Sequence, residues 1–364
     1  FQQAADWQDD TGGDHSGEYG SRSVGIIASE YDDFYFGTYD DEGNMITTPR
    51  EFMETENAKK FLNFNDDVST FEGEAQAGQY YERTIDGKDA YRVIYRPTCI
   101  HPAVTFSTEC VSYAIDFFEQ VFGSPSPLPS SDQLWPVKTA FNAVGLVGIF
   151  MFLASFAVCM MDTGFFSSIR VKTEVKAAEI KDKTAVAWFF GLLVLSMLFS
   201  AVSYVYIMRN LYSTTTSVFP QTGPLCIGVW AASCGVFTLL LTVVYYQVYG
   251  KKHQLSLRDI GVILPVKQIG KTVLLSVIVV ACAFGIVFFA NYFFKTDFRL
   301  WVLAVKVFGS DKVLIALRYL PFFLIYYVMN SVSVNCFNYN KIGGKFGNII
   351  ILGLANILPC IVLV

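Results

Sequence analysis

The chain has 364 residues, of which 53% are apolar, and a formal net charge of −5. Residues 1–136 carry 25 Asp and Glu against 8 Lys and Arg, whereas residues 137–364 carry 7 against 19. Because nucleic-acid phosphates and anionic lipids repel so acidic a segment, residues 1–136 are excluded as a nucleic-acid reader or a module that binds a membrane surface.

Two strands and a helix are predicted in the acidic segment. The apolar run in residues 23–36, SVGIIASEYDDFYF, ends in acidic residues and predicts a buried strand whose carboxyl end presents carboxylates, where open parallel sheets place their sites. Residues 90–96, AYRVIYR, alternate in character and predict a second strand. A turn containing His101 follows, and then a helix over residues 107–122 with Ser107 or Thr108 as its N-cap.

The rest of the acidic segment is predicted to be irregular. Residues 37–89 are interpreted either as an insertion over a site or as a solvated surface loop, with a turn at Asp86-Gly87. The run GSPSPLP, which begins at Gly123, ends the helix and predicts a stiff linker. The predicted organisation is therefore a domain over residues 1–123, a linker over 124–138 and a membrane domain over 139–364.

The membrane domain is predicted from apolar stretches long enough to cross a hydrocarbon core of about 30 Å. Because the core offers no water to backbone groups, each stretch must be helical. No Asp or Glu lies in the centre of a span, and Arg318 is interpreted as reaching back to the interface, so we expect anchorage rather than transport. The six predicted spans cover approximately residues 139–161, 184–208, 225–249, 272–294, 313–334 and 346–364.

The cations between the spans predict the orientation. The loops after the first and third spans are rich in Lys and Arg, from Arg170 to Lys183 and from Lys251 to Lys271, whereas the loop after the second contains Arg209 alone. The positive-inside rule therefore places those two loops in the cytoplasm and the acidic segment outside. The prediction is a multi-pass protein of the cell membrane with the lipid bilayer as its partner.

Cysteine and histidine spacing predicts no metal site and no cofactor. The three His residues are scattered, and no C-x-x-C pair exists. Cys99 and Cys110 are the two cysteines of the acidic segment, and a disulfide between them is left open.

The order of strand, acidic loop, strand, His loop and helix resembles the C-terminal part of an α/β-hydrolase fold. ASEYDDF resembles the G-x-x-D-x-F turn that supplies the acid in such enzymes, and this likeness implies that Asp32 is the acid. IHPAVTFS, followed by VSYAIDFFEQVF, resembles their terminal His loop and helix, and implies that His101 is the base. More narrowly, the whole chain looks like a family of bacterial membrane-anchored α/β-hydrolases whose catalytic domain precedes a multi-span region.

The nucleophile of such a triad is not found. In the family the serine precedes the acid in a G-x-S-x-G elbow, and none of the four serines before Asp32 lies in that pattern. The chain also begins without Met and ends in an apolar run, so we expect a fragment at both ends that does not hydrolyse esters or amides alone. A serine-hydrolase probe that labels the isolated chain, with loss on His101→Ala, would contradict this expectation.

Several alternatives stay open. Asp33 or Glu30 could be the acid instead of Asp32, either Asp could only cap a helix or solvate a turn, and His101 could be an ordinary loop residue. At the level of function, the first hypothesis is the C-terminal part of a membrane-anchored serine hydrolase acting on an ester, amide or peptide. The second is a non-catalytic membrane protein whose extracytoplasmic domain senses or binds a ligand, and a permease is a third.

Overall fold

The structure is a computed structural model that describes residues 2–3, 15–32, 34–40, 42, 44–171, 182–340 and 342–361. In these residues the strands are β1 (Gln2–Gln3), β2 (Val24–Ile27), β3 (Thr38–Tyr39), β4 (Met45–Thr47), β5 (Tyr81–Ile85), β6 (Lys88–Tyr95), β7 (Phe298–Leu300) and β8 (Leu303–Val305). The α-helices are α1 (Glu56–Leu62), α2 (Thr108–Phe122), α3 (Trp135–Met161), α4 (Lys183–Leu211), α5 (Thr222–Tyr245), α6 (Val266–Phe294), α7 (Ser310–Val332) and α8 (Gly344–Ile361). Two compact units divide the chain, one of residues 1–144 and 299–303 and the other of residues 145–298 and 304–364.

A small mixed sheet organises the first unit. Its strand order is β1-β2-β6-β5, in which β1, β2 and β6 are parallel and β5 pairs antiparallel with β6. All four residues of β2 are buried, and so are the last four residues of β6. A strand covered on both faces reads as a continuous apolar run, which is why Val24–Ile27 was recognisable.

Side chains alternate across the sheet and supply two cores. Val24, Ile26 and Ile94 face a cluster that includes Phe52, Phe61 and Leu62. Ile27, Val93 and Tyr95 face the other cluster, which includes Cys110 and Phe117 of α2. Successive residues of a strand point to opposite faces, so each strand contributes to both cores.

The prediction for residues 37–89 is right in one part and wrong in another: the turn at Asp86-Gly87 is present between β5 and β6, but the segment as a whole is not a solvated loop. The segment forms a β3–β4 hairpin, a 3₁₀ turn over Pro49–Glu54, α1 and β5. Phe52, Ala58, Phe61 and Leu62 are buried against one face of the sheet, each at most 3% exposed. The physical reason is burial: without this segment, that face of β2 and β6 would be open to water.

The helix predicted over residues 107–122 is present as α2. Its N-cap is Ser107, whose hydroxyl accepts a hydrogen bond from the Cys110 amide at 3.3 Å. The helix ends at Gly123, which has a φ of 81°, a value that glycine adopts without strain. The predicted linker over 124–138 extends too far, because α3 already begins at Trp135.

The second unit is helical. Five helices, rather than the six predicted, are long and apolar enough to cross a bilayer in the described part of the chain, and they contain the first five predicted spans. The sixth predicted span corresponds to α8, whose apolar part covers residues 346–359 and is shorter. Residues 362–364 of that span, and Lys172, Lys176 and Lys181 of the loop after the first predicted span, lie outside the described residues.

Helix α5 packs against α4 and α7 within this unit. A Cβ atom added at Gly235 of α5 would lie 2.9 Å from the Tyr326 Cα atom of α7, so the two backbones meet where a side chain is absent. Arg318 donates hydrogen bonds to the carbonyl oxygens of Ser217 and Val218, each at 3.2 Å, in the segment before α5. The Arg318 guanidinium of α7 is therefore hydrogen-bonded to backbone near the start of α5.

Candidate active site

Parallel pairing of β2 and β6 brings the two segments that follow them to the same edge of the sheet. Ile27 pairs with Tyr95 at the ends of the strands. Backbone bonds continue beyond that pair, from the Glu30 amide to the Pro97 carbonyl oxygen at 3.1 Å and from the Tyr31 amide to the Cys99 carbonyl oxygen at 3.3 Å. An isolated parallel bridge joins Tyr31 to Ile100, so the next residue on each segment is Asp32 and His101.

Asp32 and His101 are hydrogen-bonded to each other. The Asp32 Oδ2 atom lies 2.8 Å from the His101 Nδ1 atom, and the Asp32 side chain is 0% exposed. The other carboxylate oxygen, Oδ1, accepts the Phe34 amide at 3.1 Å. A buried carboxylate is costly unless its oxygens are hydrogen-bonded, and here both are.

His101 begins a 3₁₀ turn, His101–Phe106, whose second residue is a proline. Proline suits the first turn of a helix because its missing N–H would lack a partner there. The imidazole lies beside two aromatic rings, with centroid distances of 5.1 Å to Phe34 and 5.4 Å to Tyr35. These contacts and the bond to Asp32 fix the ring on three sides.

The Nε2 side of the imidazole is available for chemistry. The His101 side chain is 32% exposed, whereas its acid partner is fully covered. In the neutral ring, an Nδ1–H that donates to Asp32 leaves the Nε2 lone pair as an acceptor. No side chain in the described part of the chain hydrogen-bonds to Nε2. The pair can therefore accept a proton from a group that approaches Nε2, and Asp32 would stabilise the resulting cation.

The other acids and nucleophiles considered from the sequence lie elsewhere. Glu30 accepts a hydrogen bond from the Thr98 hydroxyl at 3.1 Å, and Asp33 lies outside the described residues. The Ser16 hydroxyl donates to Asn65 at 2.9 Å, and the Ser29 hydroxyl lies 3.5 Å from the Cys99 sulfur. Neither serine is bonded to His101.

Cys99 and Cys110 are both free thiols, so the disulfide left open from the sequence is not formed in this structure. The Cys110 thiol is fully buried and hydrogen-bonds with Cys99. Burial is the main cause that raises the pKa of Cys110 to about 11. Cys110 is therefore a protonated, inert thiol at neutral pH.

The sequence does not predict the contacts of two arginines, of which Arg92 is buried and Arg96 is half-buried. Arg96 donates to the carbonyl oxygen of Ala28 at 2.9 Å and to that of Pro49, which holds the Pro49–Glu54 turn beside the end of β2. Arg92 is 2% exposed and donates to the backbone carbonyls of Gly20 and Arg22. Burial lowers the pKa of both guanidinium groups, and that of Arg92 falls to about 10, so Arg92 stays charged at neutral pH. Their sequence signal was only a charged residue inside a strand-like pattern.

No group of three or more His, Cys, Asp or Glu side chains that could hold a metal ion occurs among the described residues. Comparisons of the chain with known proteins gave no match: no protein-family model, no curated protein and no solved structure is similar to it.

Proposed function

We propose that the first unit is the C-terminal part of an α/β-hydrolase domain in a membrane-anchored serine hydrolase. The observation that carries the proposal is the 2.8 Å bond between His101 Nδ1 and a fully buried Asp32, at the carboxyl ends of two adjacent parallel strands. The order of acid, base and final helix agrees with the late part of that fold. The five long apolar helices support a protein embedded in a lipid bilayer.

In the proposed reaction, His101 Nε2 takes the proton of a serine hydroxyl as the oxygen attacks the carbonyl carbon of an ester, amide or peptide. The same proton is then given to the leaving group as the carbon–heteroatom bond breaks. Asp32 holds the imidazole in the tautomer that leaves Nε2 free and stabilises the imidazolium. The nucleophilic serine of this reaction is none of the described residues near His101.

The charges of the loops between the apolar helices suggest which side of the membrane the first unit occupies. The cation-rich loops after the first and third spans favour a cell-membrane protein with those loops in the cytoplasm and the first unit outside. Substrates would then be extracytoplasmic esters, amides or peptides.

A second function is favoured by one specific observation, which is that no described side chain bonds to His101 Nε2. The same pair could bind a ligand in a non-catalytic sensing domain, with Nε2 as the hydrogen-bond acceptor. The two functions differ in whether a serine becomes activated.

The test uses membranes from cells that express the complete reading frame containing this chain. A fluorophosphonate probe reacts covalently with an activated serine, and we expect labelling that falls on the order of 10²–10⁴-fold with His101→Ala and with Asp32→Asn. The matched control is His253→Ala, because His253 Nδ1 lies 3.0 Å from the Tyr249 carbonyl oxygen of its own segment. Labelling that is absent, or that is unaffected by His101→Ala, would contradict the hydrolase proposal.

A further inference from the structure

A cavity of about 270 Å³ lies in the second unit among α4, α5, α7 and α8. Typical ligand pockets measure roughly 300–1,000 Å³, so this cavity suits a small ligand or one end of a longer one. All of its lining residues belong to the second unit, whereas Asp32 and His101 belong to the first.

The wall of the cavity carries no charge. None of its described lining residues is Asp, Glu, Lys, Arg or His. An ion taken from water into such surroundings would lose its hydration without meeting a counter-charge. The wall therefore selects against charged ligands.

The wall is nonetheless polar, and each of the four helices contributes to this polarity. Ser196 of α4, Thr238 of α5, Asn330 of α7 and Asn356 of α8 all line the cavity. The Asn356 amide donates to the Leu352 carbonyl oxygen of its own helix at 2.8 Å, whereas the Asn330 side chain makes no hydrogen bond to another described residue. An amide in a membrane helix usually hydrogen-bonds across to a neighbouring helix, so Asn330 retains both donors and acceptor for a ligand.

The backbone is irregular at the same cavity. Helix α7 continues into a π-helical segment, Ser333–Phe337, and both Ser333 and Phe337 line the cavity. Such segments occur frequently at functional sites. In α8, Pro359 lacks the N–H that would bond to the Ala355 carbonyl oxygen, and both residues line the cavity. Non-helical backbone and freed carbonyls are tolerated at membrane depth where they line a cavity.

Aromatic side chains supply the apolar part of the wall. Phe199 and Phe237 lie against each other with ring centroids 4.0 Å apart, and Trp230 and Tyr326 also line the cavity. Flat apolar surfaces of this kind pack against hydrocarbon chains and rings.

We propose that this cavity binds an uncharged amphiphile, with a head that both donates and accepts hydrogen bonds and an apolar body. The head would bond to Asn330 and neighbouring hydroxyls, and the body would lie against the aromatic rings. A hydroxyl-bearing neutral lipid such as a monoacylglycerol has this chemistry, and the cavity holds its head and the first part of its chain. The inference is independent of the proposed hydrolase function.

The test uses the full chain in phosphatidylcholine nanodiscs and a diazirine-bearing monoacylglycerol as the probe. Photolabelling is measured by peptide mass spectrometry, with competition by the unlabelled lipid. Two diazirine analogues of the same chain length, one an alkyl sulfate and one a quaternary alkylammonium, measure the effect of charge. We expect saturable labelling confined to α4, α5, α7 and α8, and at least tenfold less labelling by either charged analogue.

Asn330→Leu is expected to lower the saturable labelling about tenfold, because it removes the unpaired amide from the wall. Asn291→Leu is the matched control, since Asn291 is an amide of α6 that does not line the cavity. Thr238→Val keeps the volume and removes one hydroxyl, so it serves if Asn330→Leu does not assemble, with an expected loss of about threefold. Labelling that does not saturate, that spreads over all helices, that is equal for the charged analogues or that ignores both substitutions would overturn the proposal.

Discussion

The two units bury polar groups of different kinds. Among the described residues, the buried charged side chains are Asp32 and Arg92, and both lie in the first unit. The buried polar side chains of the second unit are Asn340 and Asn348, whose amides bond to each other at 3.2 Å. A charged side chain can be buried where backbone carbonyls, backbone amides or another polar side chain hydrogen-bond to it. Long apolar helices offer few such partners, because their backbone groups are already hydrogen-bonded to one another.

This difference separates the chemistry of the two units. A buried carboxylate beside a half-exposed imidazole is suited to moving protons, which is the role proposed for Asp32 and His101. Neutral amides and hydroxyls around an uncharged cavity are suited to holding a ligand without ionising it.

The largest effect is expected for Arg92→Met. The substitution leaves the carbonyl oxygens of Gly20 and Arg22 without their buried donor, and we expect the opening free energy of the sheet to fall by about 2–3 kcal/mol. Hydrogen exchange of β2 and β6 peptides in the full chain measures it. The matched control is Lys88→Met at the start of β6, because Lys88 is exposed and its substitution should change stability by less than about 0.5 kcal/mol. Equal effects of the two substitutions would show that the buried cation adds nothing to the sheet.

A smaller effect is expected for Gly235→Ala. The added methyl group meets backbone atoms of Ile325 and Tyr326 at 2.9–3.0 Å, so α5 and α7 must separate, at a cost of about 1–3 kcal/mol. The apparent melting temperature in detergent should fall by about 5 °C. Gly191→Ala in α4 is the control, since nothing lies within 4 Å of its added Cβ and alanine favours helix. A melting temperature that is unchanged by Gly235→Ala would contradict close packing of these two helices.

The smallest effect is expected at the start of α2, directly after the His101 turn. Ser107→Ala removes the acceptor for the Cys110 amide and should destabilise the first turn by about 1 kcal/mol. Thr108→Ala is the control, because Thr108 lies inside the helix and should change stability by less than about 0.5 kcal/mol. Exchange rates of the first-turn amides measure both variants. The reverse order of the two effects would mean that Thr108 is the cap.

The sequence revealed those parts of the fold that depend on local patterns. Three local patterns predicted elements that the structure contains: the apolar run of β2, the alternation in β6, and the helical period of α2 with its N-cap. The family resemblance pointed to Asp32 and His101. The sequence did not reveal contacts between distant residues, such as Arg96 with Pro49 or Arg92 with Gly20. The packing of residues 37–89 on the sheet was missed for the same reason, since its apolar residues are spread over several short elements.

The cavity in the second unit was also not predictable from spacing. From the sequence, Asn330 and Asn356 are only amides within apolar stretches, because a sequence shows which residues are polar but not which of them are hydrogen-bonded. No local sequence pattern predicts that α7 continues into a π-helical segment. Pro359 is evident in the sequence, but the sequence does not show that it lines a cavity.

Nitrogen NMR of the full chain labelled with ¹⁵N-histidine shows whether Asp32 holds His101 with its Nε2 lone pair free. In the neutral imidazole of His101, we expect the proton on Nδ1 and an unprotonated Nε2, and Asp32→Asn should shift the proton toward Nε2 while His253 stays unchanged. A His101 ring that carries its proton on Nε2 in the unsubstituted protein, or that is the same in Asp32→Asn, would contradict the claim.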